Sequence, residues 1–168
     1  MFYRNQKIIQ PDFAVRKFSK KNNLVFTSGV YDILHIGHIK FLRAAKNIVK
    51  NDGHLLVAIH EDEFVKQVKG PDRPYTKTNE RLEILSELIC VDYAVSWSGW
   101  ESIVSFTKRL KPKYFAITDK NWDHSRKGNW KAQTWDEVAE EINTEIVQIP
   151  LYKNYSSSKI INKENGFI

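Results

Sequence analysis

Cysteine is almost missing from this sequence: Cys90, in LSELICVD, stands alone. A single thiol cannot close an internal disulfide, which excludes a cross-linked secreted scaffold, and its apolar flanks predict a buried, inert side chain in a reducing compartment. Glycine and proline are sparse, at seven and five residues, and no repeat or low-complexity tract is visible beyond the short YSSSK near the end. No stretch approaches the roughly 18 apolar residues of a membrane span. The opening MFYRNQKIIQPDF has no signal-peptide core, so a cytoplasmic location without a membrane partner is expected. A basic block is also missing. Although the net charge is +6, lysines alternate with acids along the whole chain, which argues against a nucleic-acid partner and for a solvated surface with a pocket for anions.

What is present is 42% hydrophobic and 27% charged over 168 residues, enough for one self-sufficient core. Short β-rich runs alternate with helical periodicities. Strands are expected at Leu24 to Ser28, His54 to His60, Tyr93 to Trp97, Tyr114 to Thr118 and Glu145 to Ile149. Helices are expected at about Gly37 to Lys50, Glu61 to Val68, Glu80 to Ile89 with Asn79 as cap, Trp100 to Leu110 and Thr134 to Ile142, and a last one should begin around Ser157. In the Glu80 helix, Leu82, Leu85 and either Leu88 or Ile89 point inward. HLLVAIH is nearly all apolar, as a strand covered on both faces should be. The order predicts an α/β fold: a Rossmann-like, open, doubly wound parallel sheet of about five strands in three layers. Residues 1–23 form an N-terminal extension, expected to be helical, and residues 24–168 the domain proper.

In such folds ligands sit beyond the carboxyl ends of the strands, and there the sequence reads GVYDILHIGH, residues 29–38. Gly29 allows a tight turn and a close backbone approach to a ligand. Gly37 keeps the helix entrance open. His35 and His38, three positions apart, can lean toward one patch above the helix amino terminus, whose unpaired N–H groups already favour anions. Imidazoles there can donate to phosphate oxygens, and their ordinary pKa near 6.5 would let a bound polyphosphate favour the protonated form. Such donors suit charge developing on a departing pyrophosphate. A zinc site is the other reading of paired histidines, but neither HExxH nor paired CxxC spacing is present.

The segment FTSGVYDILHIGHIKFLRAAK resembles the HxGH signature of the nucleotidylyltransferase superfamily, in its cytidylyltransferase-like group, with Tyr31 where phenylalanine is usual. VKGPDRPYTKTNERLEILSELICVDYAV is similar to a stretch of the ADP-heptose synthase nucleotidylyltransferase domain, and YSSSKII to the segment that opens its last helix. The resemblance implies that His35 and His38 hold phosphates and stabilise the pentavalent phosphorus. Lys69 and Arg73 would close on phosphates from a mobile loop. Ser28, Gly29, Val30, Tyr31, Asp32 and Gly37 would form the nucleotide-binding turn, with Asp32 anchoring it. Arg81, misplaced for the helix dipole at a helix start, would face the ligand. Ser156, Ser157 and Ser158 would form a second phosphate cradle. Asp119 and Trp122 fall where base and sugar should bind; there ITDKNWDHSRKGNW replaces the family's shorter KGGDY-type segment, and Trp122 or Trp130 could stack on a base.

The implied reaction is transfer of a nucleoside monophosphate from an NTP to a sugar phosphate, with Mg2+ held mainly by the triphosphate and no direct protein ligand. Glycerol-3-phosphate cytidylyltransferase is the neighbouring resemblance, through GHIK and the final helix. It carries an RTEGIST-type segment where this chain has LYKNYSS, and an arginine before its VD pair where this chain has Ile89-Cys90. A non-catalytic nucleotide-binding protein is the further alternative. The partners are thus an NTP and a small phosphorylated substrate, and the resemblance allows a homodimer.

Overall fold

Helices separate every pair of successive strands along the chain, with two of them between the second strand and the third. The computed structural model describes residues 6–18, 23–98, 100–118, 135–150 and 152. Its elements are α1 (Pro11–Phe18), β1 (Leu24–Gly29), α2 (Ile36–Val49), β2 (His54–His60), α3 (Asp62–Lys69), α4 (Thr78–Ser86), β3 (Tyr93–Trp97), α5 (Trp100–Leu110), β4 (Tyr114–Ile117), α6 (Trp135–Ile142) and β5 (Glu145–Gln148). The five strands form one sheet in the order β3-β2-β1-β4-β5, every pair parallel.

Two-residue periodicity divides the strands between two cores. Val25, Leu55, Val57 and Ile59 face α2 and α4, meeting Leu42, Ala45, Leu82 and Leu85. Leu24, Phe26, Leu56 and Ala58 face the other way, meeting Ala14 and Phe18 of α1 and Ile103, Phe106 and Leu110 of α5. Phe26 stacks on Phe115 at 5.4 Å and meets Phe106 edge-on at 5.9 Å. These are the three layers expected, with helices on both faces of the sheet. Because β2 and β3 lie on one side of β1 while β4 and β5 lie on the other, strand order reverses between β1 and β4. Thr27 ties that seam, its hydroxyl donating to the Ala116 carbonyl at 2.9 Å.

The segment before β1 covers the sheet. Ile9 N–H donates to the Ala94 carbonyl at 3.0 Å and Ala94 N–H to that of Lys7 at 2.9 Å, extending the β3 edge, and α1 buries Ala14 and Phe18 completely. Three local expectations are corrected. The helix expected from Glu80 begins at Thr78, capped at Lys77 and not Asn79, because the Glu80 carboxylate turns back to accept from Lys77 N–H at 2.8 Å. It ends at Ser86, so Leu88 turns inward while Ile89 is 98% exposed. Cys90 is half-buried, not buried, and desolvation pushes its thiol pKa up. The helix expected near Ser157 lies outside the described residues.

Candidate active site

β1 ends at Gly29, and the chain reaches α2 through Tyr31, whose φ of 50° is the left-handed region a large side chain rarely enters. Burial of its ring holds it there. The phenol pairs with Thr27, the ring lies 5.1 Å from that of His38, and a Cβ on Gly29 would stand 2.8 Å from it. Gly29 therefore admits a ring, a different role from the ligand approach expected of it. Desolvation drives the Tyr31 pKa well above the usual tyrosine range, so its hydroxyl stays protonated.

His35 occupies the N-cap of α2, and its Nδ1 accepts the Gly37 N–H at 3.1 Å. An acceptor nitrogen carries no proton, so the cap fixes the neutral tautomer with hydrogen on Nε2. His38 stacks on it, ring centroids 3.8 Å apart and 20° from parallel. Its Nδ1 is buried without a hydrogen-bond partner, and a cationic ring would bury an unpaired N–H there. Desolvation first, then the charges of His35 and Lys69, hold the His38 pKa down at about 4; desolvation also lowers that of His35. Two stacked cations would repel by about 4 kcal/mol at an effective dielectric near 20. The pKa of each imidazole therefore lies below the ordinary value expected of it, which favours the neutral form.

Lys69 is the last residue of α3, where Gly70 adopts φ 104° and turns the chain into the loop. Crowding by protein atoms lowers the Lys69 pKa, Arg73 adds to this, and Asp32 partly offsets it. Arg73 is not loose. Its Nε and Nη2 donate to Asp32 Oδ2 at 2.7 and 2.6 Å, with both side chains largely buried. Asp32 Oδ1 accepts Thr76 N–H at 2.9 Å, and Thr76 Oγ1 donates to the Asp32 carbonyl at 2.7 Å. Asp32 thus anchors the loop to the turn, where an anchor of the turn itself was expected.

Arg81 differs from its expectation more sharply. It is 1% exposed, and its five N–H donors meet five acceptors: Thr76 O, Val30 O, His60 O, Asp62 Oδ1 and Thr78 Oγ1, at 2.5 to 3.1 Å. Its donors are all directed at the protein, and it stitches the ends of β1 and β2 to the starts of α3 and α4. Burial pushes the Asp62 pKa up, but Thr78 and Arg81 outweigh this and lower it.

The structure therefore brings His35, His38 and Lys69 together above α2, with Ser28 half-buried at the strand end and the Val30 carbonyl held by Arg81. Asp119, Trp122, Trp130, Ser156, Ser157 and Ser158 lie outside the described residues. Tyr152 was not anticipated: Lys40 Nζ sits 3.3 Å from its ring centroid, which brings the chain after β5 onto the first turns of α2. Nor were Tyr75 and Thr76 singled out, although both stand in the RPYT loop. Among the described residues no cluster of three or more His, Cys, Asp or Glu could hold a metal ion. Asp32 and Asp62, the carboxylates beside the turn, are both paired with arginines. No described helix is long and apolar enough to cross a membrane.

A stacked histidine pair at a helix amino terminus, beside the switch point of a five-stranded parallel sheet, defines an open α/β domain with its candidate site at the carboxyl ends of the strands. The chain belongs to the cytidylyltransferase-like family, whose model matches residues 26–163. It is similar to the bifunctional protein HldE of Helicobacter hepaticus, 32% identical over 95% of this chain and 30% of that one. The HldE of Campylobacter fetus is 33% identical over 96% of this chain and 32% of its own. The chain thus spans about a third of the length of these relatives. A lipopolysaccharide core biosynthesis protein from Thermoplasma volcanium superposes with a TM-score of 0.57 at 27% identity, over 78% of this chain and 98% of that one. Pantoate-β-alanine ligase from Francisella tularensis shares the fold, with a TM-score of 0.60 at 15% identity over 94% and 76%.

Proposed function

We propose that the protein is a nucleotidylyltransferase that moves a nucleoside monophosphate from an NTP to a sugar phosphate, releasing pyrophosphate and forming an NDP-sugar. The observation that carries this reading is the stacked His35–His38 pair capping α2 at the carboxyl end of β1. The family match and the HldE relatives support it.

The acceptor's phosphate, with a second pKa near 6, is mostly dianionic at neutral pH, so no general base is needed. One of its oxygens forms a bond to the α-phosphorus as the bond from that phosphorus to the α,β-bridging oxygen breaks, and pyrophosphate departs with the electron pair. Catalysis then rests on positioning and on donors aimed at the developing charge. His35 and His38 supply Nε2–H groups, α2 its N-terminal amides, and Lys69 a cation. Magnesium bound with the triphosphate would neutralise part of its charge. On the same reading Asp119 and Trp122 contact base and sugar, Ser156, Ser157 and Ser158 form the second phosphate cradle, and the enzyme works in the cytoplasm.

The test is pyrophosphate release from purified protein with each of four NTPs and a panel of sugar 1-phosphates and glycerol 3-phosphate. Turnover with a sugar phosphate is expected. Turnover with glycerol 3-phosphate alone would replace the acceptor, and tight NTP binding without any release would leave a non-catalytic binding protein.

A further inference from the structure

A contiguous row of side chains leads away from the histidine pair. Asp32, in the turn that leads to His35, accepts Arg73 Nε and Nη2 at 2.7 and 2.6 Å, and the Lys69 charge is felt at His38 as that of Arg73 is at Lys69. Beyond Arg73 stands Tyr75, with the guanidinium carbon 5.2 Å from its ring centroid. Phosphate-binding groups thus end in an aromatic face.

That face is held out toward solvent by neighbours that are themselves fixed. Arg73 is bound to the buried Asp32 through two nitrogens, and Thr76 is bound to Asp32 through both its N–H and its hydroxyl. Arg81 holds the Thr76 carbonyl at 2.9 Å. Tyr75 lies between these anchors, yet it is 57% exposed. A chain clamped on both sides of a residue could have turned that ring inward. Instead a large apolar surface stays uncovered at the rim, where exposure of a tyrosine ring contributes nothing to folding. Arg73 also orients the ring, because a guanidinium over one face of a phenol limits how the ring can turn and leaves the other face for a flat partner.

We infer that Tyr75 is a stacking platform for the ring of a phosphorylated ligand whose phosphate is held by Lys69 and the histidine pair. This rests on the proposed site but goes beyond it, since it assigns recognition of a ring to a residue outside the phosphate-binding turn. Two rings could fill the role, the sugar of the acceptor or the nucleoside of the NTP.

The experiment is equilibrium binding by calorimetry of ATP, CTP, glucose 1-phosphate, mannose 1-phosphate and inorganic pyrophosphate to the wild-type chain, Tyr75→Ala and Tyr75→Trp, with thermal unfolding of each. Binding needs no turnover, so failure of the catalytic reading stays separate from failure of this one. The expected result for Tyr75→Ala is roughly tenfold weaker binding of either the nucleotides or the sugar phosphates, the size typical of one lost aromatic stack. Pyrophosphate, which has the charge but no ring, should bind unchanged, and Tyr75→Trp should restore the lost affinity. The class that weakens identifies the ring. Affinities within twofold for every ligand would overturn the inference. So would an equal loss for pyrophosphate together with a lower unfolding temperature, which would make Tyr75 a support of the loop.

Discussion

The turn from Gly29 to His38 and the junction around Arg81 lie side by side at the carboxyl ends of β1 and β2, and each belongs to one of the segments that carry the family resemblance. They differ in where their hydrogen bonds go. At the junction every guanidinium proton meets a protein acceptor in a fully buried setting. At the turn, His38 keeps a buried nitrogen without a partner and two rings are stacked as neutral donors. Polar groups that are completely satisfied hold a fold together, whereas a buried ring nitrogen left without a protein partner at a helix terminus is what the proposed phosphate site would use. Charge and motif membership alone do not separate the two kinds of residue; the disposition of their partners does.

Removing Arg81 should have the largest effect, and on stability. Arg81→Met takes the Arg81 donor from the Val30, His60 and Thr76 carbonyls and leaves Asp62 Oδ1 with the Thr78 hydroxyl in place of an ion pair, so denaturant unfolding should show a loss of about 3–5 kcal/mol. A small loss accompanied by selective loss of nucleotide binding would return Arg81 to the ligand. His38→Ala should do the reverse, reducing pyrophosphate release about 100- to 1,000-fold, or roughly 3–4 kcal/mol in the barrier. Its unfolding free energy should stay within about 1 kcal/mol of the wild type.

Asp32 lies between the two regions and should show a mixture of both effects. Asp32→Asn keeps an acceptor for Thr76 N–H but loses the charge facing Arg73, so about 1–3 kcal/mol of stability should go. The KM for the phosphorylated substrates should rise as the loop loosens.

The remaining effect is confined to acid pH. The folded His38 titrates near 4, below the usual 6.5, so between those values the unfolded chain binds more protons than the folded one. The stability this histidine contributes is fully present above pH 6.5 and is lost as pH falls toward 4. His38→Asn should flatten that limb of a stability-against-pH curve, and an unchanged limb would place the titration elsewhere.

Much of this could be read without coordinates. Hydrophobic patterning located the five strands to within a residue, most sharply at β1 and β2, whose apolar runs are buried on both faces. HxGH marked the turn because the whole string GVYDILHIGH resembles the family signature, where a single histidine at a strand end would read as packing. What could not be read was partnership. Nothing in RPYTKTNER says that Arg81 is enclosed by carbonyls from β1 and β2, since Val30 and His60 are distant in sequence. Likewise Tyr31 gives no hint that its ring occupies the space Gly29 leaves open. Asp92 belongs to the same lesson: within the VD pair that carried the resemblance, it accepts from Lys46 at 2.6 Å and Leu55 N–H at 2.7 Å, tying α2 to the opposite end of β2.

The most direct test of the central claim is a histidine side-chain nitrogen NMR titration with pyrophosphate. The neutral Nε2–H form of His35 and His38 should appear in the free protein, and saturating ligand should shift both sets of resonances while leaving His54 unmoved. Saturable pyrophosphate binding with His35 and His38 unperturbed would contradict the account.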